Sequence, residues 1–270
     1  MDFKQKLIRA SKKNNTLLCV GLDIDKEKIP RFLLDRKEPF VEFNKAIIDA
    51  TNDLVCAYKL NIAFYEILAE KAYDVLKKTI DHIPKDIPVI LDGKRNDITH
   101  TAEKYAKTIF EIFNADATTV NPYLGFDSIK PFLEYKEKST FILCRTSNPS
   151  AREIQDLKIN NKPLYQIIAE KARKWNKYSS NCGLVVGATY PTELKIIRET
   201  VGEDLPILIP GIGKQGGNIE KTVKNGTNSK GELAIINSSR SIIYASNNEN
   251  FAKEARKKAI SLKEEINKYR

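Results

Sequence analysis

The sequence is poor in the residues that mark metal centres, disulfide scaffolds and membrane spans. It has two histidines and four cysteines in 270 residues. Neither histidine has ligand spacing to a cysteine, so no metal site is expected. No two cysteines have Cys-x-x-Cys spacing, and each lies in or beside an apolar segment, which indicates reduced core residues. No apolar run reaches about 18 residues, and the polar N-terminus lacks a signal core, so we expect a cytoplasmic protein without a membrane span.

Basic residues outnumber acidic ones, and the formal net charge is +10. The lysines are spread along helical segments and interleaved with glutamates, as in FAKEARKKAISLKEEINKYR at residues 251–270. This pattern is typical of solvated helix faces. No basic block carries interleaved aromatic residues, and no nucleic-acid-binding module is recognisable, so we expect no nucleic-acid partner.

Eight short apolar runs are rich in β-branched residues and mostly lack polar alternation. Such runs are typical of parallel strands that are buried on both faces. Segments with helical periodicity lie between them. The runs are LLCVGLD (17–23), CAYKLN (56–61), IPVILDGK (87–94), ATTVNPY (117–123), TFILCRT (140–146), GLVVGA (183–188), PILIPGI (206–212) and LAIINSSR (233–240).

The order of strands and helices predicts the fold class. Eight β/α units in about 250 residues predict a (β/α)8 TIM barrel of the α/β class. We expect one domain over residues 1–270. The rival is a doubly wound open sheet, which is less favoured because no GxGxxG turn follows the first run.

Polar side chains concentrate where the predicted strands end, and the opposite ends carry far fewer. They are Asp23, Lys59, Asn61, Asp92, Lys94, Asn121, Arg145–Asn148, Gln215 and Ser238–Arg240. In TIM barrels the active site lies at the carboxyl ends of the strands. The asymmetry therefore predicts an active site at this end of the barrel.

Three charged residues after the second and third runs form a candidate cluster. Strand alternation places Asp92 and Lys94 on the same side, and neighbouring strands bring Lys59 beside them. A structural salt-bridge network is the simpler interpretation. Buried ion pairs seldom add stability, however, because desolvation offsets their attraction. A lysine held between carboxylates keeps its charge and can deliver a proton in a fixed direction, which favours a functional role.

Two motifs after the last two runs predict a phosphate site. PGIGKQGG (210–217) supplies glycines that allow close backbone approach, and NSSR (237–240) supplies the Arg240 guanidinium. TIM barrels often bind phosphate with the loops after strands seven and eight. The alternative is an ordinary turn with a surface arginine.

LDGKRNDITHT (91–101), read with AYKLN, GLD, TSNPSA, PGIGKQGG and NSSR, resembles the orotidine 5′-monophosphate decarboxylase family. The match is to the branch with TSNPS and PGIGxQGG patterns, and it extends from Asp23 to Arg240. The D-x-K-x-x-D-I-x-x-T element is highly specific. The resemblance implies a TIM-barrel homodimer that converts orotidine 5′-phosphate to UMP, the final step of pyrimidine synthesis, without metal or organic cofactor.

The resemblance also implies a catalytic tetrad. Lys59, Asp92, Lys94 and Asp97 would alternate in charge. Lys94 would protonate C6 of the vinyl carbanion, and Asp92 would lie near the departing carboxylate. Asp97 would act in the site of the other protomer.

Further residues are assigned to substrate binding by the same resemblance. The ribose, pyrimidine and phosphate would each have their own contacts, and two residues would again act across the dimer. Asp23, Lys59 and Asn61 would contact the ribose side, Ser147 the pyrimidine, Gln215 both base and phosphate, Ser239 and Arg240 the phosphate, and Ile98 and Thr101 the other protomer's substrate. Thr146 would also bind the substrate.

Three alternatives stay open at this point. A phosphosugar decarboxylase or aldolase-like relative would hold Mg²⁺ with acids, although the run Ala57–Asn61 lacks the extra acid this would need. A basic RNA-binding barrel would bind nucleic acid in a salt-dependent way without turnover. An inactive nucleotide-sensing relative is the third, and the intact tetrad argues against it.

Overall fold

The eight apolar runs form the eight parallel strands of a closed barrel, as predicted. The computed structural model describes residues 1–212 and 216–270. The barrel strands are β1 (Leu18–Gly21), β2 (Ala57–Asn61), β3 (Val89–Arg95), β4 (Ala117–Val120), β5 (Ser139–Arg145), β8 (Cys182–Val186), β9 (Ile207–Pro210) and β10 (Ala234–Ser238). Each strand pairs with the next, and β10 pairs with β1, which closes the barrel.

Helices surround the barrel and connect its strands. They are α1 (Phe3–Lys13), α2 (Arg31–Leu34), α3 (Pro39–Thr51), α4 (Ala63–Glu66), α5 (Ala72–His82), α6 (Thr99–Lys107), α7 (Phe126–Leu133), α8 (Ala151–Gln155), α9 (Leu164–Ser179), α10 (Pro191–Val201), α11 (Ile219–Gly226), α12 (Arg240–Ile243) and α13 (Phe251–Asn267). A 3₁₀ turn covers Ala69–Lys71, and a π-helical turn covers Thr108–Ile112. None of the helices in the described ranges is long and apolar enough to cross a membrane.

The connection between β5 and β8 contains a hairpin that the sequence patterns did not predict. Its strands are β6 (Lys158–Ile159) and β7 (Lys162–Pro163), which pair antiparallel. Asn160 and Asn161 join them, both with positive φ, as a tight hairpin turn requires. Strands of two residues are too short to show an alternation of apolar and polar residues. The Asn160–Asn161 pair is the only local signal of the turn.

The barrel interior has an apolar layer below a polar one. Alternate residues of the strands point inward, and those deeper in the barrel form one buried cluster that includes Cys19, Ile90, Phe141 and Ile235. All four cysteines of the chain are buried and free, as expected from the sequence. Several of the next inward positions toward the strand ends, such as Lys59 and Asp92, are polar, so the floor of the site lies at this level.

A buried arginine ties the loops at the opposite, amino-terminal end of the barrel. Arg198 on α10 donates hydrogen bonds to the carbonyls of Gly202, Leu205, Gly226 and Leu233. Burial lowers the pKa of its guanidinium to about 10, with Glu203 opposing the shift. The guanidinium stays charged at neutral pH, and the dipoles of the four carbonyls stabilise its charge. These hydrogen bonds anchor β9 and β10 where the two strands begin.

Candidate active site

A cavity of about 400 Å³ lies at the carboxyl ends of the barrel strands. Its volume is in the range typical of small-molecule sites, about 300–1,000 Å³. Nine of the residues predicted for the site line it: Asp23, Lys59, Asn61, Asp92, Lys94, Thr146, Ser147, Ser239 and Arg240. The structure thus brings together residues of β2 and β3 with residues that directly follow β1, β5 and β10, which are far apart in sequence.

The Asp92 carboxylate is held between two lysines on the cavity wall. Its Oδ2 accepts a hydrogen bond from Lys59 Nζ at 3.0 Å, and its Oδ1 accepts one from Lys94 Nζ at 2.7 Å. Lys59 Nζ also lies 3.6 Å from Asp23 Oδ1. Asp92 and Lys59 are buried, whereas 42% of the Lys94 side chain is exposed. Lys94 is therefore the member of the cluster that is most accessible to a ligand in the cavity.

Burial and charge act in opposite directions on this cluster. Burial alone would raise the pKa of Asp92, but the charges of Lys59 and Lys94, with hydrogen bonds from Lys94 and Thr119, hold that pKa below its usual value. Burial would lower the pKa of Lys59, and the charges of Asp23 and Asp92 outweigh it and raise that pKa. Both groups stay charged at neutral pH, so a fixed negative charge lies between two positive ones.

The residues after β10 shape a second, more open side of the cavity. Arg240 is exposed and begins α12, directly after Ser239. Ser239 lies so close to β1 that a Cβ on Gly21 would be 1.8 Å from its Oγ. Any residue with a Cβ at position 21 would therefore displace Ser239 from the cavity wall. A guanidinium beside a hydroxyl is a donor set that suits an anion such as phosphate.

The segment after β5 is fixed by a partly buried hydrogen-bond network. Gln155 Oε1 accepts from Thr146 N at 2.9 Å and from Arg145 at 3.3 Å, and Gln155 Nε2 donates to Thr146 Oγ1 at 2.8 Å. The fully buried Arg145 also stacks over the Tyr190 ring, 4.0 Å from its centroid. Gly187 allows the Ser147 backbone to approach, since a Cβ there would be 3.0 Å from Ser147 N. The network places Ser147 on the cavity wall.

Three predicted residues lie away from the cavity of their own chain. Asp97 precedes α6, and its carboxylate accepts a hydrogen bond from Ile98 N at 2.8 Å. The Ile98 side chain is 65% exposed, and Thr101 is half-buried on α6. The chain therefore supplies Lys59, Asp92 and Lys94 to its own cavity but not Asp97. Gln215 lies outside the described residues.

Several residues of the site were not singled out from the sequence. Asn237 lines the cavity, and so do Leu143, Val185 and Leu208, which form an apolar part of its floor. Thr119 on β4 donates to Asp92 Oδ1 at 2.7 Å. A signal for Thr119 and Asn237 exists in the strand alternation, because each is polar and takes an inward position near a strand end. The three apolar residues of the floor give no such signal, because residues of the same types occur throughout the core.

Across the part of the chain that the structure describes, no three His, Cys, Asp or Glu side chains are grouped so that they could hold a metal ion.

The chain matches known proteins over nearly its whole length. The model of the family described as "Orotidine 5'-phosphate decarboxylase / HUMPS family" matches residues 16–255. The orotidine 5'-phosphate decarboxylase of Cellvibrio japonicus (strain Ueda107) is 52% identical over 273 residues, which are 99% of this chain and 98% of that protein. Sequence similarity of this extent shows the family.

Solved structures give the same result for the fold. The structure of Leishmania donovani OMP decarboxylase is 37% identical with a TM-score of 0.87, and covers 100% of this chain and 98% of that one. The structure of Leishmania donovani UMP synthase is 38% identical with a TM-score of 0.89 and covers 99% of this chain. The chain spans 56% of the length of that UMP synthase.

Proposed function

Because the chain belongs to the orotidine 5'-phosphate decarboxylase / HUMPS family, we propose that Lys94 protonates C6 of the pyrimidine during decarboxylation. The reaction converts orotidine 5'-phosphate to UMP and CO2 in pyrimidine biosynthesis. The observation that carries the proposal is the position of the Asp92 carboxylate, hydrogen-bonded to both Lys59 and Lys94 on the cavity wall. The phosphosugar and non-catalytic alternatives have no comparable support.

The proposed step breaks the bond between C6 and the carboxylate carbon. The electron pair stays on C6 as CO2 leaves, and the Lys94 ammonium gives its proton to C6, after which the lysine regains a proton from water. Positive charge near C6 stabilises the carbanion as it forms, and a lysine already held in place needs no reorganisation. Asp92 repels the substrate carboxylate, and the loss of CO2 relieves that repulsion.

The metal-free character of the proposed reaction has a direct test. Turnover of orotidine 5'-phosphate, followed by its loss of absorbance, should be the same with and without EDTA because the proposed acid is a lysine and not a metal-bound group. Lys94→Ala in the same assay is the control for non-enzymatic loss. Turnover that EDTA abolishes and Mg²⁺ restores would contradict the proposal and favour a magnesium-dependent relative.

Arg240 and Ser239 are proposed to bind the substrate phosphate, with Asp23, Asn61, Thr146 and Ser147 contacting the rest of the nucleotide. Arg240→Ala should raise the Kd of UMP by about 10²-fold, the weight of a lost charge-assisted pair, and leave the Kd of uridine nearly unchanged. Arg173→Ala, an exposed arginine on α9, is the matched control. Equal losses for UMP and uridine would contradict the phosphate role.

We also propose a homodimer with shared active sites, in which Asp97, Ile98 and Thr101 reach the substrate of the other protomer. Support comes from large apolar residues that are exposed just after β3 and β4. Ile98 is 65% exposed and Tyr123 is 87% exposed. Asn121 N, directly after β4, donates to Arg95 O at the end of β3, so the segments that carry these two residues leave the barrel side by side. Exposed apolar side chains grouped on one surface are typical of interfaces.

A single domain over residues 1–270 is supported by contacts of both chain ends with the barrel. Phe3 N donates to Glu137 O at 2.9 Å, so the first helix is held against the base of β5. At the other end, Arg270 Nε donates to Gly231 O at 2.9 Å, next to the start of β10.

A further inference from the structure

The third strand contains a bulge exactly where it carries Asp92 and Lys94. In the pairing of β3 with β4, Leu91 lies opposite Thr118, and the next partners are Arg95 and Val120. Three residues of β3 therefore face one residue of β4. Within the bulge Lys94 has φ of +47°, a left-handed conformation that is unfavourable for a residue with a Cβ.

The one residue opposite this bulge is Thr119, whose side chain is fully buried. Its Oγ1 accepts a hydrogen bond from Lys94 N at 2.9 Å and donates one to Asp92 Oδ1 at 2.7 Å. The directions are fixed by chemistry, because a backbone N–H can only donate and a carboxylate oxygen can only accept. Because of the bulge, the backbone N–H of Lys94 has no carbonyl partner on β4, and the Thr119 hydroxyl takes that place. The same hydroxyl also holds the Asp92 carboxylate.

We propose that Thr119 is a positioning residue for this reaction, an inference that rests on the proposed role of Lys94. It fixes the strained Lys94 backbone and the Asp92 carboxylate relative to each other, so that Lys94 Nζ points into the cavity. Thr119 does not line the cavity, so it acts only through its two partners. Without the hydroxyl, the backbone N–H of Lys94 has no partner and the bulge can relax, which moves the lysine away from C6.

The neighbouring threonine provides a matched control. Thr118 is also fully buried, and its hydroxyl donates to Leu91 O at 2.8 Å, in the same strand pair but outside the bulge. Thr118→Val and Thr119→Val each remove one buried hydroxyl while nearly keeping the side-chain volume. Only the second touches the arrangement of Asp92 and Lys94.

The test measures kcat, the Kd of UMP and the Tm of these variants and of Thr119→Ser. Thr119→Val should lower kcat by about 10²-fold, the effect of misplacing a reacting group by about 1 Å. The Kd of UMP should stay within about threefold, because the lost interaction acts on the chemical step. Thr119→Ser should return kcat to within about fivefold of the wild type, and Thr118→Val should lower Tm while leaving kcat within about twofold.

Other results would overturn the proposal. These are a kcat for Thr119→Val equal to that of Thr118→Val, a change confined to Kd, or no recovery in Thr119→Ser. If Thr119→Val fails to fold, Thr119→Ala and Thr118→Ala take the places of the two valine variants, with the same criteria. Lys94→Ala in the same assay distinguishes failure of the proposed function from failure of this inference. Normal turnover of Lys94→Ala would contradict the role of Lys94 as proton donor. An inactive Lys94→Ala together with a normal kcat for Thr119→Val would contradict only the positioning role of Thr119.

Discussion

Lys94→Ala should lose nearly all turnover of orotidine 5'-phosphate and still bind UMP. The variant removes both the proposed proton donor and a positive charge on the cavity wall, and together these effects predict a fall in kcat of about 10⁴-fold or more. UMP carries no carboxylate and receives no proton, and its phosphate and ribose contacts are assigned to other residues. Its Kd should therefore stay within about tenfold of the wild-type value.

Lys195→Ala is the matched control for this experiment. Lys195 is exposed on α10, so its removal changes the net charge equally without touching the cavity. Calorimetric titration with UMP and single-turnover kinetics separate binding from chemistry. A near-normal rate in Lys94→Ala would remove the lysine from the reaction. A complete loss of UMP binding would show that it serves affinity instead.

Asp97→Ala and Lys94→Ala should each be inactive alone and regain activity when mixed. If Asp97 acts in the other protomer's site, a hybrid dimer has one site with both changes and one site with neither. Random reassortment makes half of the dimers hybrids, each with one intact site, so about a quarter of wild-type activity should return. Denaturing and refolding the mixture would exchange the subunits.

Two controls make the mixing experiment decisive. Lys94→Ala mixed with Lys59→Ala should recover nothing, because both residues belong to the same chain's cavity and every hybrid site carries one of the changes. Differently tagged subunits, purified through both tags, verify that mixed dimers have formed. Verified mixed dimers of the Asp97 and Lys94 variants without recovery would count against the shared site.

The sequence predicted the barrel and the charged cluster for identifiable reasons. Continuous apolar runs at regular spacing have few solutions other than a buried parallel sheet, and all eight runs are barrel strands. Lys59 and Asp92 follow from strand alternation, because each takes an inward position at the end of its strand. The roles of these residues came from the resemblance.

Other features depend on contacts that no local pattern records. The bulge around Lys94 requires the register of β4, in which Thr119 stands opposite three residues of β3. Arg198 binds two carbonyls between α10 and β9 and two more at the end of α11 and just before β10, so its sequence neighbours do not identify it as a structural residue. The position of Asp97 away from its own chain's cavity agrees with what the resemblance implied, but no local pattern of the sequence would have given it.

The hydrogen bonds of Arg198 stabilise the barrel at the end opposite the cavity. These bonds secure the starts of β9 and β10, and the apolar layer that includes Phe141 and Ile235 separates them from the cavity. Exchange of the side chains that line the cavity leaves these hydrogen bonds in place, so the reacting groups can be redesigned without disturbing this end of the barrel.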